Sequence, residues 1–169
     1  MDNFKHLRKV SNARNNIIIN QLAVGSVTGE LSLYVSDLSN ADHRTYSTGE
    51  IRNSVRVNSI RLDDYGVNGG QVDFIKLDIQ GFEHEAFMGM KRTLENNPNV
   101  KILSEFWPHG LKAAGRNPEE LITLIKDYGF VIYLIDKKKG LIEFSFAGIT
   151  SSPDSQAYYN IFCSKYPLL

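Results

Sequence analysis

The sequence has little cysteine and no surplus of either charge. Cys163 is the only cysteine among 169 residues. This excludes an intramolecular disulfide and a cysteine-rich zinc site. A lone thiol fits a reducing compartment. Lys and Arg number 19 and Asp and Glu number 19, for a formal net charge of zero. The basic surface that grips a nucleic-acid backbone is therefore not expected. Long hydrophobic runs are missing too. The longest clean one, Phe130 to Ile135, falls far short of the ~20 residues that span a bilayer. The opening Met1-Asp2-Asn3-Phe4-Lys5-His6 is polar and lacks the apolar core of a signal peptide. No internal repeat, low-complexity tract or interdomain linker occurs. What remains is ordinary globular usage, 42% apolar and 22% charged. At roughly 150 residues per domain, one soluble, cytoplasmic domain over residues 1–169 is expected, without nucleic-acid or membrane partners.

The patterning alternates between helix and strand. Phe4, Leu7 and Val10 fall on one face of a helix over 2–15, with Asp2 or Asn3 as cap. Ile17 to Val24 is β-branched and reads as a strand. Gly25 to Gly29 reads as a turn, and Leu31, Leu33 and Val35 alternate with polar neighbours, so the pair predicts a hairpin. Residues 36–50 form the longest loop. Val55, Val57 and Ser59 predict a strand at a sheet edge. Val72 to Asp78 is the next strand. Phe82, Ala86, Met90 and Leu94 then repeat every four residues, as a helix laid on a sheet does. Val100 to Phe106 is a strand. Asn117-Pro118-Glu119-Glu120 is a helix start with a capping-box carboxylate, and Gly129 ends that helix. Strands follow at Phe130–Ile135, Leu141–Phe146 and Tyr158–Ser164, with 149–157 a polar loop. Strand and helix alternating from 72 to 135 predict an α/β fold with a parallel sheet, and the final strand inserts antiparallel at its edge.

Ligands of open α/β sheets bind beyond the carboxyl ends of the strands. Three places qualify. Asp78 ends a strand, and an acid there can orient a polar ligand or take a proton from a hydroxyl. The plainer alternative makes Asp78 a helix cap and Glu83 a complement to the helix dipole. Glu105, in Ser104-Glu105-Phe106-Trp107-Pro108-His109, closes an apolar strand and needs a partner. It is read as a pocket residue, with His109 solvated and Trp107 either on the pocket rim or in the core. His43, between Asp42 and Arg44, is a candidate general base or substrate clamp, or a plain solvated residue. No G-x-G-x-x-G, P-loop or G-x-S-x-G motif occurs, and no zinc-like spacing.

Val72-Asp73-Phe74-Ile75-Lys76-Leu77-Asp78-Ile79-Gln80-Gly81-Phe82-Glu83 resembles the motif D-F-I-K-I-D-V-E-G-x-E of the FkbM-type methyltransferases. The likeness extends to Ala23–Ser36, Val57–Asp64, Ile102–Phe106, Asn117–Asp136 and Asn160–Ser164. It implies a Rossmann-like methyltransferase fold, S-adenosylmethionine as cofactor, and transfer of a methyl group to a hydroxyl of a sugar or secondary metabolite. It carries catalytic roles onto Asp78 and Glu83, and places Ala23 beside the adenine. Ala23, Asp78 and Gln80 are the expected cofactor contacts, and Asp78, Glu83, Glu105 and His43 the expected catalytic set. The family motif has Glu where this chain has Gln80. The family's D-x-G-x-x-x-G-type loop, with its first two strands, is not found, so the fold is expected to be truncated at its amino terminus. By the resemblance those strands lie between Ile17–Val24 and Val72–Asp78. Three outcomes are open: these two strands pair directly, a second copy or partner chain fills the gap, or the sheet stays split. The alternative function is a non-catalytic binding module.

Overall fold

A computed structural model describes residues 2–36, 43–47, 52–66, 70–150 and 156–168. The order is α1 (Asp2–Asn12), β1 (Ala23–Val24), β2 (Gly29–Tyr34), β3 (Ser54–Ile60), a 3-10 turn (Leu62–Asp64), β4 (Phe74–Leu77), α2 (Glu83–Met88), α3 (Lys91–Asn96), β5 (Lys101–Phe106), α4 (Pro108–Ala113), α5 (Pro118–Asp127), β6 (Val131–Asp136), β7 (Gly140–Glu143), α6 (Phe146–Thr150) and β8 (Tyr159–Ser164). The fold is mixed α/β with two mixed sheets.

The larger sheet has the order β4-β5-β8-β6-β7. β4 and β5 pair in parallel, and β8 runs antiparallel to both β5 and β6. β4, β5 and β6 thus share one direction, as strands joined through helices must. β8 is not at the edge as expected but between β5 and β6, and β7 forms the antiparallel edge. Cross-strand register gives the reason. Ile102, Cys163 and Ile132 stand in one row across three strands, and all are buried. Withdrawing β8 would break that row and leave β5 and β6 each with one open edge. α2, α3 and α5 cover the sheet with Phe87, Leu94, Leu121 and Ile125, joined by Met90 from the break between α2 and α3, all within the same core.

The smaller sheet has the order β1-β3-β2. The expected hairpin between β1 and β2 does not form. β1 pairs in parallel with β3, and β2 pairs antiparallel with β3. β3 is therefore the centre of its sheet rather than an edge. The strand expected over Ile17–Val24 shrinks to Ala23–Val24, because only those residues find a partner, Ser59 and Ile60. Ile18 is exposed instead. The helix expected through Phe82 to Leu94 is broken into α2 and α3. The Gly89 carbonyl accepts the Asp63 N–H at 3.0 Å, and a Cβ on Gly89 would meet the Gly25 carbonyl oxygen at 2.0 Å. The backbone there packs against the small sheet rather than continuing a helix. Asp63 then caps α3, accepting from the N–H groups of Arg92 and Thr93 at 3.2 and 2.9 Å. At the carboxyl end, α6 occupies part of the expected polar loop at 149–157. Its Ile149 is buried, which accounts for the ordered turn; residues 151–155 lie outside the described residues.

β1 and β4 belong to different sheets, so among the described residues the sheet is split. β4 keeps one unpaired edge, with Phe74 exposed at its start. No helix among the described residues is long and apolar enough to cross a membrane.

Candidate functional site

A cleft of about 610 Å³ opens between the two sheets. It lies at the carboxyl end of β4, where an α/β sheet offers its binding crevice. Ala23 and Val24 line it from the small sheet, Asp78, Ile79 and Gln80 from the turn after β4. α1 contributes Phe4 and Leu7, and the irregular segment before β1 contributes Asn20, Gln21 and Leu22. His43 closes the cleft from the connection between β2 and β3.

The turn after β4 has an unusual backbone. Gln80 is left-handed at φ +56°, and Gly81 follows at φ +93°. A non-glycine residue there is strained and is held by its surroundings. The Tyr46 hydroxyl donates to the Gln80 carbonyl at 2.7 Å. The Gln80 side-chain amide donates to Asp78 Oδ1 and to Glu105 Oε2, each at 3.2 Å. An amide nitrogen has two hydrogens, and here each goes to a different carboxylate. Lys76 Nζ meets Asp78 Oδ2 at 3.2 Å. Glu105 is half-buried at the end of β5. Burial raises its carboxyl above the usual range, and the Asp78 charge adds to this while Lys76 opposes it.

Of the expected residues, Ala23, His43, Asp78 and Gln80 meet in the cleft, and Glu105 joins them through Gln80. His43 Nδ1 accepts the Ser36 N–H at 3.1 Å, so a neutral ring presents its proton on Nε2. Its sequence neighbours 40–42 lie outside the described residues. Glu83 does not line the cleft. It is buried on the first turn of α2, and its Oε1 accepts the Ile79 N–H at 3.1 Å. It braces the turn that carries Asp78 and Gln80. Trp107 donates from Nε1 to the Gln156 carbonyl at 3.1 Å, and the Arg44 guanidinium lies 5.1 Å from its ring. His109 is exposed beside it, 3.2 Å from the Gln156 amide. The sequence reading missed Tyr46, Asn20, Gln21 and the lining role of Phe4 and Leu7. The apolar face of α1 was the one available signal, and it named no target.

A second cleft of about 580 Å³ lies at the opposite end of β4, lined by Asp63, Val72, Arg92 and Asn97 among others. Its polar groups are committed to structure. Asp63 caps α3, Asn97 Oδ1 accepts the Val72 N–H at 2.8 Å, and Arg92 pairs with Asp64 at 3.1 Å. Cys163 is buried in the core, and burial pushes its thiol up to about 12, which removes it as a nucleophile. Among the described residues no cluster of His, Cys, Asp and Glu can hold a metal ion.

The cleft thus sets a polar turn at a strand end against an apolar wall. The methyltransferase FkbM domain matches residues 3–132, which include the cleft, the whole small sheet and strands β4 and β5 of the larger one, and the chain belongs to that family. No curated protein and no solved structure matches it. Membership makes methyl transfer the activity to expect of the domain.

Proposed function

We propose that this chain is an S-adenosylmethionine-dependent methyltransferase acting on a hydroxyl of a small molecule or glycan, with the cleft between β1 and β4 as its site. The fold on this reading is a Rossmann-like methyltransferase fold. The observation that carries the proposal is the convergence of Ala23, His43, Asp78 and Gln80 on one cleft.

The residues present suit the cofactor chemically. Leu22, Val24 and Phe82 offer an apolar wall for a flat base. Asn20, Gln21 and Gln80 offer amides for polar groups, and Asp78 offers a carboxylate for hydroxyls or a cationic centre. When bound, the cofactor supplies an electrophilic methyl group. Asp78 sits where a carboxylate can orient an acceptor hydroxyl and take its proton as the oxygen becomes nucleophilic. The Gln80 amide keeps Asp78 from rotating away. Glu105, one hydrogen bond behind, adds negative charge that favours a proton arriving at the pair. His43 Nε2–H can clamp an acceptor oxygen from the opposite wall.

The test is isothermal titration with S-adenosylhomocysteine of the chain and of Asp78→Asn. Saturable binding is expected for the chain, with affinity at least about tenfold weaker in the variant, the size of one lost charge-assisted hydrogen bond. A well-folded chain that binds nothing overturns the proposal and favours a non-catalytic role.

A further inference from the structure

The turn carrying Asp78 and Gln80 is held from outside by one side chain. Tyr46 stands 34 residues away in sequence, on the connection between β2 and β3 of the other sheet, and donates its hydroxyl to the Gln80 carbonyl at 2.7 Å. Its own segment is anchored. Arg44 exchanges backbone hydrogen bonds with Tyr34 at 2.7 and 3.1 Å, and its guanidinium lies against Trp107. The Tyr46 hydroxyl also crowds the next residue: a Cβ on Gly81 would lie 2.9 Å from it and 2.5 Å from the Gly110 carbonyl carbon. On the inner side, Glu83 holds the Ile79 N–H. The turn is thus held by Tyr46 from the small-sheet side and by Glu83 from α2.

We propose that Tyr46 is a positioning residue: by fixing the Gln80 carbonyl in its left-handed turn, it aims the Gln80 amide so that it joins Asp78 to Glu105. Without the hydroxyl, the Gln80 carbonyl turns to water and the backbone relaxes toward the right-handed region. The side-chain amide then cannot reach both carboxylates, and their mutual repulsion loses its bridge. Tyr46 in this way ties the geometry of the small sheet to the charges at the end of the large one. The inference deepens the proposed reading of the cleft, but its geometry does not depend on the identity of the ligand.

The experiment is a carbon-13 titration of the Glu105 and Asp78 carboxyl groups in the ligand-free chain, in Tyr46→Phe, in Gln80→Ala and in the double variant. Loss of one amide donor raises the Glu105 midpoint by roughly one pH unit. Tyr46→Phe and Gln80→Ala should each show that rise, and the double variant should show no more than Gln80→Ala alone. A merely structural role for Tyr46 would lower the melting temperature and leave the midpoint where it was. That result, or shifts that add in the double variant, overturns the proposal. Tyr46→Met, which fills the space with a flexible apolar chain, is the second variant should Tyr46→Phe not fold. Because no ligand is present, the titration stands or falls separately from the binding test of the cleft.

Discussion

Glu83 Oε1 accepts the backbone N–H of Ile79 at 3.1 Å, so a fully buried carboxyl on α2 closes the turn that presents Asp78. Its second oxygen is buried and has no hydrogen-bond partner among the described residues. Burial pushes this acid from 4.5 up to about 7; the nearby Glu105 charge adds to the rise, and backbone N–H groups at Glu83, Ile79 and Gly81 oppose it. The folded chain therefore holds the proton more tightly than the unfolded chain. The stability this contributes is complete below 4.5 and is lost as pH rises through 7. A shift of that size is worth about 3 kcal/mol. Glu83→Gln is neutral at every pH and lacks the slope. Urea unfolding across pH 4.5 to 8 should show the native chain losing about 3 kcal/mol relative to Glu83→Gln. Parallel curves contradict the assignment.

Gln80→Glu restores the residue of the family motif, but here it removes both amide donors and sets a third carboxylate beside Asp78 and Glu105. We expect a loss of about 1–2 kcal/mol at pH 7, from lost bonds and like-charge repulsion. Protonation relieves it, so the gap to the native chain should close as pH falls toward 4.5. Thermal melts at pH 7 and pH 5 check this. An equally stable variant at pH 7 would show that the amide bridge contributes little.

Most strands after residue 72 were legible because their apolar runs are local, whereas the place of β8 between β5 and β6 was not. Lys101 to Phe106 alternates half-buried and buried, and Asn117 caps α5 by accepting from Glu119 N–H at 3.0 Å. The small sheet was not legible, since adjacency in sequence suggested a hairpin while β3 arrives later and separates β1 from β2. The break between α2 and α3 was hidden for the same reason. The cap on α3 is Asp63, about thirty residues upstream, and the contact at Gly89 is with Gly25. In the cleft, the motif exposed Asp78, Gln80 and Glu83 as a group. It could not say that Glu83 turns inward while Gln80 bridges two strands. Tyr46 carried no signal at all, because its partner is a backbone carbonyl.

Glycine substitutions separate close packing from mere flexibility. Gly89→Ala would drive a methyl group into the Gly25 carbonyl at 2.0 Å, and Gly81→Ala combines φ +93° with a 2.5 Å contact on Gly110. Each should cost about 2–4 kcal/mol. Gly29 in β2 has nothing within 4 Å of its added Cβ, so Gly29→Ala should leave stability unchanged or raise it by about 0.5 kcal/mol. Urea midpoints of the three variants give the ranking.

Ser26, Glu85 and Arg116 form a network that fastens the small sheet to α2 and to the segment before α5. Arg116 Nε donates to Glu85 Oε1 at 2.7 Å. Burial pushes the Glu85 carboxyl up, but the Ser26 hydroxyl and the Arg116 guanidinium together outweigh it and hold it below 4.5. The stability this contributes is present above 4.5 and is lost as pH falls through the lowered folded value. Arg116→Ala leaves a mostly buried carboxylate without its cation. Because Arg116 is itself partly exposed, we expect a loss of about 1–2 kcal/mol at pH 7. The difference from the native chain should shrink below pH 4.5. A difference independent of pH would assign the loss to packing.

The most direct test of the cleft is nitrogen-15 amide mapping of the chain titrated with S-adenosylhomocysteine. The account predicts saturable shifts concentrated at Ala23, Val24, His43 and Asp78 to Phe82, with Asp63, Arg92 and Asn97 unmoved. Shifts centred on those last three residues, or no shifts from a folded chain, would contradict it.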